Sequence, residues 1–497
     1  MSGSSAQIDA GRLFGDVLRL RRQVAEQGQA AFRKWRPRIE RPWFRLGALN
    51  LGHYLAFRQH DLRPLQRDLM PLGLSSLGRA EGRVLASLDA LIVTLAGLAG
   101  SPAPTSIRRP TLRQFFRGER LLARNSAEVF GAARPGQAGR ILVTLGTDAA
   151  HDPKIVADLV TNGADAVRIN CAHDDAALWT QMIAHVRDAE RKIGWRIPVL
   201  MDIGGPKVRT ANVVTPADED HLRVGDELLL SDGQASGEKL PAFRTGCTLP
   251  QVFARLDVGH RISIDDGKLV GRIVRKVTGG FVARIEEGRD KGVKLKAEKG
   301  LNFPGVDLGL DPITERDRAD LDFIARHADM VGYSFVETAA HVAALQEELA
   351  RRRADWRSLT LVAKIETPRA VRNLPEIVVQ AAGRQPLAIM IARGDLAIEL
   401  GFERLAEMQE EILWLCEAAH VPAIWATQVL EGLVSKGLPS RGEMTDAAMA
   451  ARAECIMLNK GPNAAAAVAA LARLLQRMGE HQHKKTPTLR ALHSWAA

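Results

Sequence analysis

Cysteine is scarce in this chain: four among 497 residues, at positions 171, 247, 416 and 455. They show no metal-ligand spacing, and a chain of this length with 46% apolar residues can bury a large core without cross-links. The four thiols are therefore read as structural, in a reducing cytoplasm. Long hydrophobic runs are missing as well. The most apolar stretch, 84–98, is interrupted by Ser87, Asp89 and Thr94, which makes it a buried helix and not a membrane span. No leader pattern is visible either, since Met1-Ser-Gly-Ser-Ser is polar and the turns after it are charged. The expectation is a soluble cytoplasmic protein of about three domains, with no membrane partner.

What is present is charge at the ends of apolar strands. Lys364-Ile365-Glu366 closes the apolar run 359–363, and Arg393-Gly394-Asp395 closes a second, 387–392. Alternate side chains of a strand share a face, so Lys364 and Glu366 are expected to reach one small ligand together, with Asp395 joining from the neighbouring strand. An ammonium beside two carboxylates suits a divalent cation plus a migrating phosphoryl group. For either segment alone, surface ion pairs at strand ends are the alternative.

Both segments belong to a series of eight β-rich runs: 141–145, 166–170, 198–203, 330–335, 359–366, 387–393, 422–427 and 455–459. Apolar strands alternating with helices predict a parallel sheet covered on its outer face, and eight such units close an α/β fold of the (β/α)8 TIM-barrel type. Active sites of such barrels lie at the carboxyl ends of the strands. Arg168, Asn170, Asp202, Lys364, Glu366, Asp395, Thr427 and Asn459 all fall at that rim. After the third run comes an insertion, 211–298, far longer than ordinary barrel loops. Strand-like pieces at 222–230, 261–270 and 281–285, with a hairpin-type turn at Asp265-Asp266-Gly267, predict a small β domain over the active face.

Residues from about 140 to 475 resemble pyruvate kinase, in the family's motif order. The pieces are Arg168-Ile-Asn170 with His173, Asp202-Ile-Gly-Gly-Pro-Lys-Val-Arg209-Thr210, Asp265-Asp266-Gly267, Gly300-Leu-Asn-Phe-Pro304-Gly305, Lys364-Ile-Glu366, Ala392-Arg-Gly-Asp395-Leu, Ala426-Thr427-Gln428-Val-Leu-Glu431, Pro439-Ser-Arg441 with Glu443 and Asp446, and Cys455-Ile-Met-Leu458. None is decisive singly; in order and at compatible spacing they are highly specific. The resemblance implies transfer of the phosphoryl group of phosphoenolpyruvate to ADP, giving pyruvate and ATP. It implies that Glu366 and Asp395 hold magnesium or manganese, that Lys364 lies beside the phosphoryl group, and that Arg168 contacts the phosphate. Thr427 would sit near the carbon that is protonated, and Gly394 would let backbone amides approach the substrate carboxylate. Asn170, His173, Arg209 and Lys299 match nucleotide-side or cation-side positions, and the β domain would act as a lid that shuts out water.

The chain departs from the family pattern in three places. The serine of the potassium site is Ala172, whereas Asn170 and Asp202 remain, and Lys207 follows Pro206 where potassium-dependent members have glutamate. An ammonium supplied by Lys207, with Asp202, is expected to replace potassium. Asn459-Lys460-Gly461-Pro462 stands where the family has a Ser-Gly-Glu-Thr segment at the nucleotide, so Lys460 is a candidate phosphate contact. Thr147 replaces the proline of the first-strand loop. About forty residues follow the eighth run, so the usual regulatory domain and its sugar-phosphate activation are not expected.

Residues 1–135 differ in character, with clustered arginines interleaved with Trp35, Trp43 and Phe44, and contribute to a net charge of +10. They read as helical, with Asp61 capping a segment that runs to Met70. A solvated, salt-bridged domain packed on the barrel is favoured over a nucleic-acid or membrane surface. The expected domains are 1–135 (basic helical), 136–210 with 299–480 (catalytic barrel), 211–298 (lid) and 481–497, an exposed mobile tail containing His481 and His483. A homo-oligomer is compatible with this plan. Two alternatives share the fold: a metal-dependent lyase acting on pyruvate enolates, which needs neither Lys364 nor the lid, and a catalytically weak member serving as a binding or regulatory protein.

Overall fold

Eight short runs of apolar residues form the parallel strands of a closed barrel in the computed structural model, which describes residues 9–487 apart from 135, 138, 237 and 238. The barrel strands are β1 (Arg140–Thr144), β2 (Ala166–Asn170), β3 (Val199–Ile203), β4 (Met330–Tyr333), β5 (Thr360–Ile365), β6 (Leu387–Ala392), β7 (Ala423–Ala426) and β8 (Cys455–Leu458). Each pairs in parallel with the next, and β8 closes on β1 with Ile456 opposite Ile141. Every residue of β1, β3, β4, β6, β7 and β8 is buried, as strands covered by helices outside and packed side chains inside must be. Leu142, Leu200, Met330, Val362, Met390, Ile424 and Met457 fill the cylinder.

The expected α/β barrel is therefore present, but its strands stop short of the apolar pattern. Glu366, Thr427 and Asn459 lie just past the ladder, and Asp395 sits in the first turn of the helix Arg393–Leu400 instead of in a strand. A ladder commits each side chain to one face, so groups that converge on a small centre are placed where the ladder ends.

Between β3 and β4 a six-stranded sheet runs in the order Thr210–Val214, Phe243–Cys247, Glu227–Ser236, Leu269–Gly288, Arg261–Ile264, Leu301–Asn302. Leu228, Leu230, Ile262, Phe281 and Ile285 give it a core of its own. The stretch 222–230 is not one strand. Gly225, at φ +95°, makes a turn in which the Arg223 amide donates to Asp226 Oδ2 at 2.8 Å. The 261–270 hairpin does form.

The amino-terminal region is helical. Its longest helix, Ala10–Trp35, is capped by Asp9, which accepts from the Gly11 and Arg12 amides, and buries Leu13, Val17, Leu20 and Val24 at helical spacing. Val84–Leu98 is the expected buried helix, and no described helix is long and apolar enough to cross a membrane. The segment after Asp61 forms Arg63–Leu69 with Leu62 at the N-cap. Asp61 Oδ1 still accepts from the Arg63 amide at 3.1 Å, one position earlier than a true cap.

Several contacts dock this region on the barrel. Trp35 Nε1 donates to Glu376 Oε1 at 2.7 Å, Arg41 Nη1 to the Gln385 carbonyl at 2.9 Å, and Arg357 pairs with Glu40 at 2.7 Å. The helix Arg117–Phe130 ends with Val129 and Phe130 packed among the inner barrel residues, closing the amino-terminal floor.

The expected mobile tail is corrected for residues 481–487. Gln482–His483 pairs with Thr486–Pro487, Lys484 is ion-paired to Glu454, and Lys485 to Glu81. Glu454 and Glu81 are buried carboxylates, and the tail supplies their counter-charge. The expectations for Met1-Ser-Gly-Ser-Ser and for 488–497 lie outside the described residues.

Candidate active site

The carboxyl ends of the strands surround a cavity of about 250 Å³ lined by Arg168, Asn170, His173, Lys207, Arg209, Ser334, Lys364, Glu366, Asp395, Thr427 and Asn459, among others. Lys364, near the end of β5, points inward and Glu366 follows two residues later, so Nζ and Oε1 meet at 2.9 Å. Ser334, after β4, accepts a second hydrogen bond from Lys364 at 2.8 Å and donates its own to the Ile203 carbonyl at 2.9 Å. Asp202 Oδ2 lies 3.9 Å from Lys364 Nζ. Burial lowers the Lys364 ammonium, but the charges of Glu366 and Asp202 together outweigh it and hold the group above its ordinary value. Lys364 is thus a fixed cation.

Glu366 is 1% exposed, and its Oε2 accepts from the Phe335 amide at 2.6 Å. Burial raises it above the usual carboxylate range and the neighbouring charge of Asp395 pushes the same way, against Lys364. Two hard oxygen donors brought into one field, from Glu366 and Asp395, fit a hard divalent cation. Asp395 also accepts from Lys207 Nζ at 3.3 Å. The lid strand that begins at Thr210 follows that lysine directly, so Lys207 ties the base of the lid to the rim.

Arg168, on β2, donates through Nε to Asp202 Oδ2 at 2.7 Å and through Nη1 to Thr144 Oγ1 at 3.2 Å. Asp202, on β3, is 1% exposed, and its Oδ1 has no partner. Across the ladder stands Gly332, where a Cβ would come within 1.8 Å of that oxygen, so only glycine admits the carboxylate. Asp202 and Lys207, expected to share the monovalent-cation role, thus have different partners: Arg168 for Asp202, and Asp395 for Lys207.

Thr427 follows β7 in the left-handed region at φ +65°, as do Gln428 and Leu430, a cluster of strained non-glycine residues at the rim. Arg393 holds this loop by donating to the Ala426 carbonyl at 3.0 Å and the Thr427 carbonyl at 2.6 Å while pairing with Asp446. Gly394, expected to let backbone amides approach a substrate carboxylate, donates its own amide to Thr427 Oγ1 at 2.8 Å. Among protein atoms, a Cβ at Gly394 would meet only Thr427, at ordinary contact distance.

On the lid side, Arg209 donates to the Glu298 carbonyl at 3.1 Å, and Lys299 pairs with Asp265 at 3.2 Å. Asp265-Asp266-Gly267 is a hairpin turn with all three residues left-handed. Asn170 Oδ1 accepts from the Ala172 amide at 3.2 Å. His173 is lowered by burial and next by the charge of Lys460, which stands exposed at the rim beside Gly146. Sequence reasoning missed Ser334, Thr144 and the supporting role of Arg393. The signal for Ser334 was present, as a hydroxyl at the end of an apolar run.

Residues 137–468 match the family model described as pyruvate kinase, barrel domain. The chain is 34% identical over 316 residues to the pyruvate kinase of Geobacillus stearothermophilus, covering 63% of this chain and 51% of that one. It is 32% identical to the pyruvate kinase of Methylorubrum extorquens (64% and 63% covered) and 31% identical to that of Agrobacterium vitis (72% and 71%). The chain spans about half to two thirds of the length of most of the curated relatives it matches. With its motifs in family order on a closed eight-stranded barrel and the match running through all eight strands, the chain belongs to the pyruvate kinase family.

Proposed function

We propose that the protein moves the phosphoryl group of phosphoenolpyruvate to ADP, giving pyruvate and ATP. The observation that carries this reading is the Lys364 ammonium, buried and fixed between Glu366, Asp202 and Ser334. A cation so preorganised stabilises the charge that shifts from the phosphoryl group to the enolate oxygen without reorganising as it does so. Arg168 has Nε and Nη1 already held, which orients its guanidinium and leaves Nη2 for the phosphate. Magnesium or manganese held by Glu366 and Asp395 would supply a Lewis-acid centre that draws off negative charge. Thr427 Oγ1 accepts from the Gly394 amide, so its own O–H is free to direct a proton toward the enolate carbon, through water if need be. His173, Arg209, Lys299 and Lys460 form the nucleotide side, Lys299 after it leaves Asp265.

Lys207 supplies the monovalent charge in place of potassium. Its ammonium enters the cavity and sits 3.3 Å from Asp395, which supports that reading; Asp202 contributes by fixing Arg168. A pyruvate-enolate lyase would need neither Lys364, which lines the cavity, nor the lid sheet inserted after β3, and this chain has both.

The test is a coupled assay for pyruvate from phosphoenolpyruvate and ADP with magnesium, in tetramethylammonium buffer, comparing wild type with Lys364→Met. Turnover by wild type that is abolished in the variant is expected. Equal, negligible rates would remove the phosphotransfer reading, and a large saturable stimulation by potassium would remove the role given to Lys207.

A further inference from the structure

Among the described residues, half of the large apolar side chains left exposed lie in the amino-terminal region, Trp43, Leu46, Leu98, Leu112 and Phe116 among them. Leu112 is 79% exposed and Phe116 38%. Arg113 lies between them in the short helix Leu112–Phe115, and Arg117, Arg120 and Arg124 follow in the helix Arg117–Phe130 at spacings of three and four, which sets those three along one helical face. All four are exposed, and none has a carboxylate within ion-pair distance among the described residues. The two acids of the helix Arg117–Phe130 are turned to other arginines: Glu119 pairs with Arg83 and Glu128 with Arg41, both largely buried. The helix thus sorts its charge, anions to inner partners and cations outward. Arg124 lies over the Trp43 ring at 5.8 Å, and Arg109 donates to Thr94 Oγ1 at 2.9 Å, so the stripe extends from the end of the helix Val84–Leu98 to Trp43.

Exposed cations with no ion pair among the described residues also occur on the helix Ala10–Trp35, at Arg22, Arg33 and Lys34; what sets this stretch apart is that Leu112, Phe116 and Trp43 stand exposed beside its arginines. We propose that the stripe is a docking surface for an anionic phospholipid membrane. Guanidinium groups take headgroup phosphates in bidentate fashion, while Leu112, Phe116 and Trp43 enter the interfacial layer. The exposed leucines favour a bilayer over nucleic acid, because leucine offers no stacking platform to a base. The same helix closes the barrel floor through Val129 and Phe130, so docking leaves the mouth and lid, at the opposite pole, open to solvent. The sequence alone gave no membrane partner, because it does not reveal which arginines keep a counter-ion.

The test is sedimentation of the full-length protein with vesicles of phosphatidylcholine alone and of phosphatidylcholine with phosphatidylglycerol. Partition only onto the anionic vesicles, weakening with salt, is expected. Combined Arg113→Gln, Arg117→Gln, Arg120→Gln and Arg124→Gln substitutions should lower partition about a hundredfold or more, at roughly fivefold per arginine. Leu112→Ser with Phe116→Ser, which leaves charge unchanged, should lower it about tenfold and keeps the test open if the arginine variant does not fold. Thermal unfolding of each variant checks the fold. Absent partition of wild type, undiminished partition of a folded arginine variant, or tighter binding to single-stranded RNA than to anionic vesicles overturns the proposal. The readout is independent of turnover, so failure here leaves the phosphotransfer reading untouched.

Discussion

At the carboxyl end of the barrel, Lys364, Glu366, Asp202 and Arg168 are withdrawn from water yet charged, and one oxygen of Asp202 has no partner. At the amino end, Val129 and Phe130 fill the same cylinder with hydrocarbon. The backbone differs in the same sense, because Phe335, Thr427, Gln428 and Leu430 hold strained left-handed conformations at the mouth. Burying charge and straining a loop both cost stability, and the floor is where apolar packing offsets that cost. Conformational stability and chemistry are thus assigned to opposite poles of one barrel, and the amino-terminal region belongs to the pole of stability.

Substitutions at the two poles should separate accordingly. Phe130→Ala removes a fully buried ring from the floor and should lower unfolding free energy by about 3–5 kcal/mol, with kcat per folded molecule unchanged. Denaturant unfolding beside an active-site titration would show this, and a large drop in kcat for the folded fraction would break the separation. Glu366→Gln at the mouth should cut kcat by about a hundredfold to a thousandfold. Its reading requires a melting temperature near that of wild type, and a variant with undiminished kcat would remove Glu366 from the chemistry.

Much of the barrel was legible because each strand is buried on both faces and reads as an uninterrupted apolar run, such as Leu387–Ala392. The convergence of Lys364 with Glu366 followed from strand periodicity alone. The partners of Arg168 and Lys207 did not, because they are set by the barrel's closure and by the lid's approach, which bring together residues far apart in the chain. The partner of the Gly394 amide was not legible either, because the sequence shows a glycine but not the Thr427 hydroxyl turned onto it by a left-handed backbone. The docked tail was missed for a related reason. Lys484 and Lys485 look like solvated charges until Glu454 and Glu81 are seen to be buried beside them.

Beside that docked tail a buried carboxyl has a pH response of its own. Glu417, on the helix Phe402–Ala419, is raised to about 7 from 4.5, chiefly by burial and further by Glu81 and Glu454, with Lys484 and Lys485 opposing. A carboxyl whose folded value lies above its unfolded one favours folding at acid pH, and that contribution is lost as pH rises through about 7. Glu417→Gln should therefore be more stable than wild type above neutrality, by up to about 3 kcal/mol, and the difference should vanish near pH 4.5. Unfolding curves at both ends of that range decide it, and a pH-independent difference would place the effect in packing instead of charge.

The smallest effect expected is the one that most sharpens the view of the mouth. Ser334 does not reach the acidic pair; it accepts from Lys364 and donates to the Ile203 carbonyl, fixing the direction of the ammonium between β3 and β5. Ser334→Ala leaves Lys364 charged, because Glu366 and Asp202 still hold it, but allows Nζ to swing. A hydrogen bond to a charged group contributes about 1.5–3 kcal/mol, and only the part realised as charge shifts in the transition state should be lost, about tenfold in kcat with KM for phosphoenolpyruvate little changed. A rise in KM at constant kcat would mean that Ser334 binds substrate directly, and the mouth would then hold a further contact residue where the geometry gives it a positioning role.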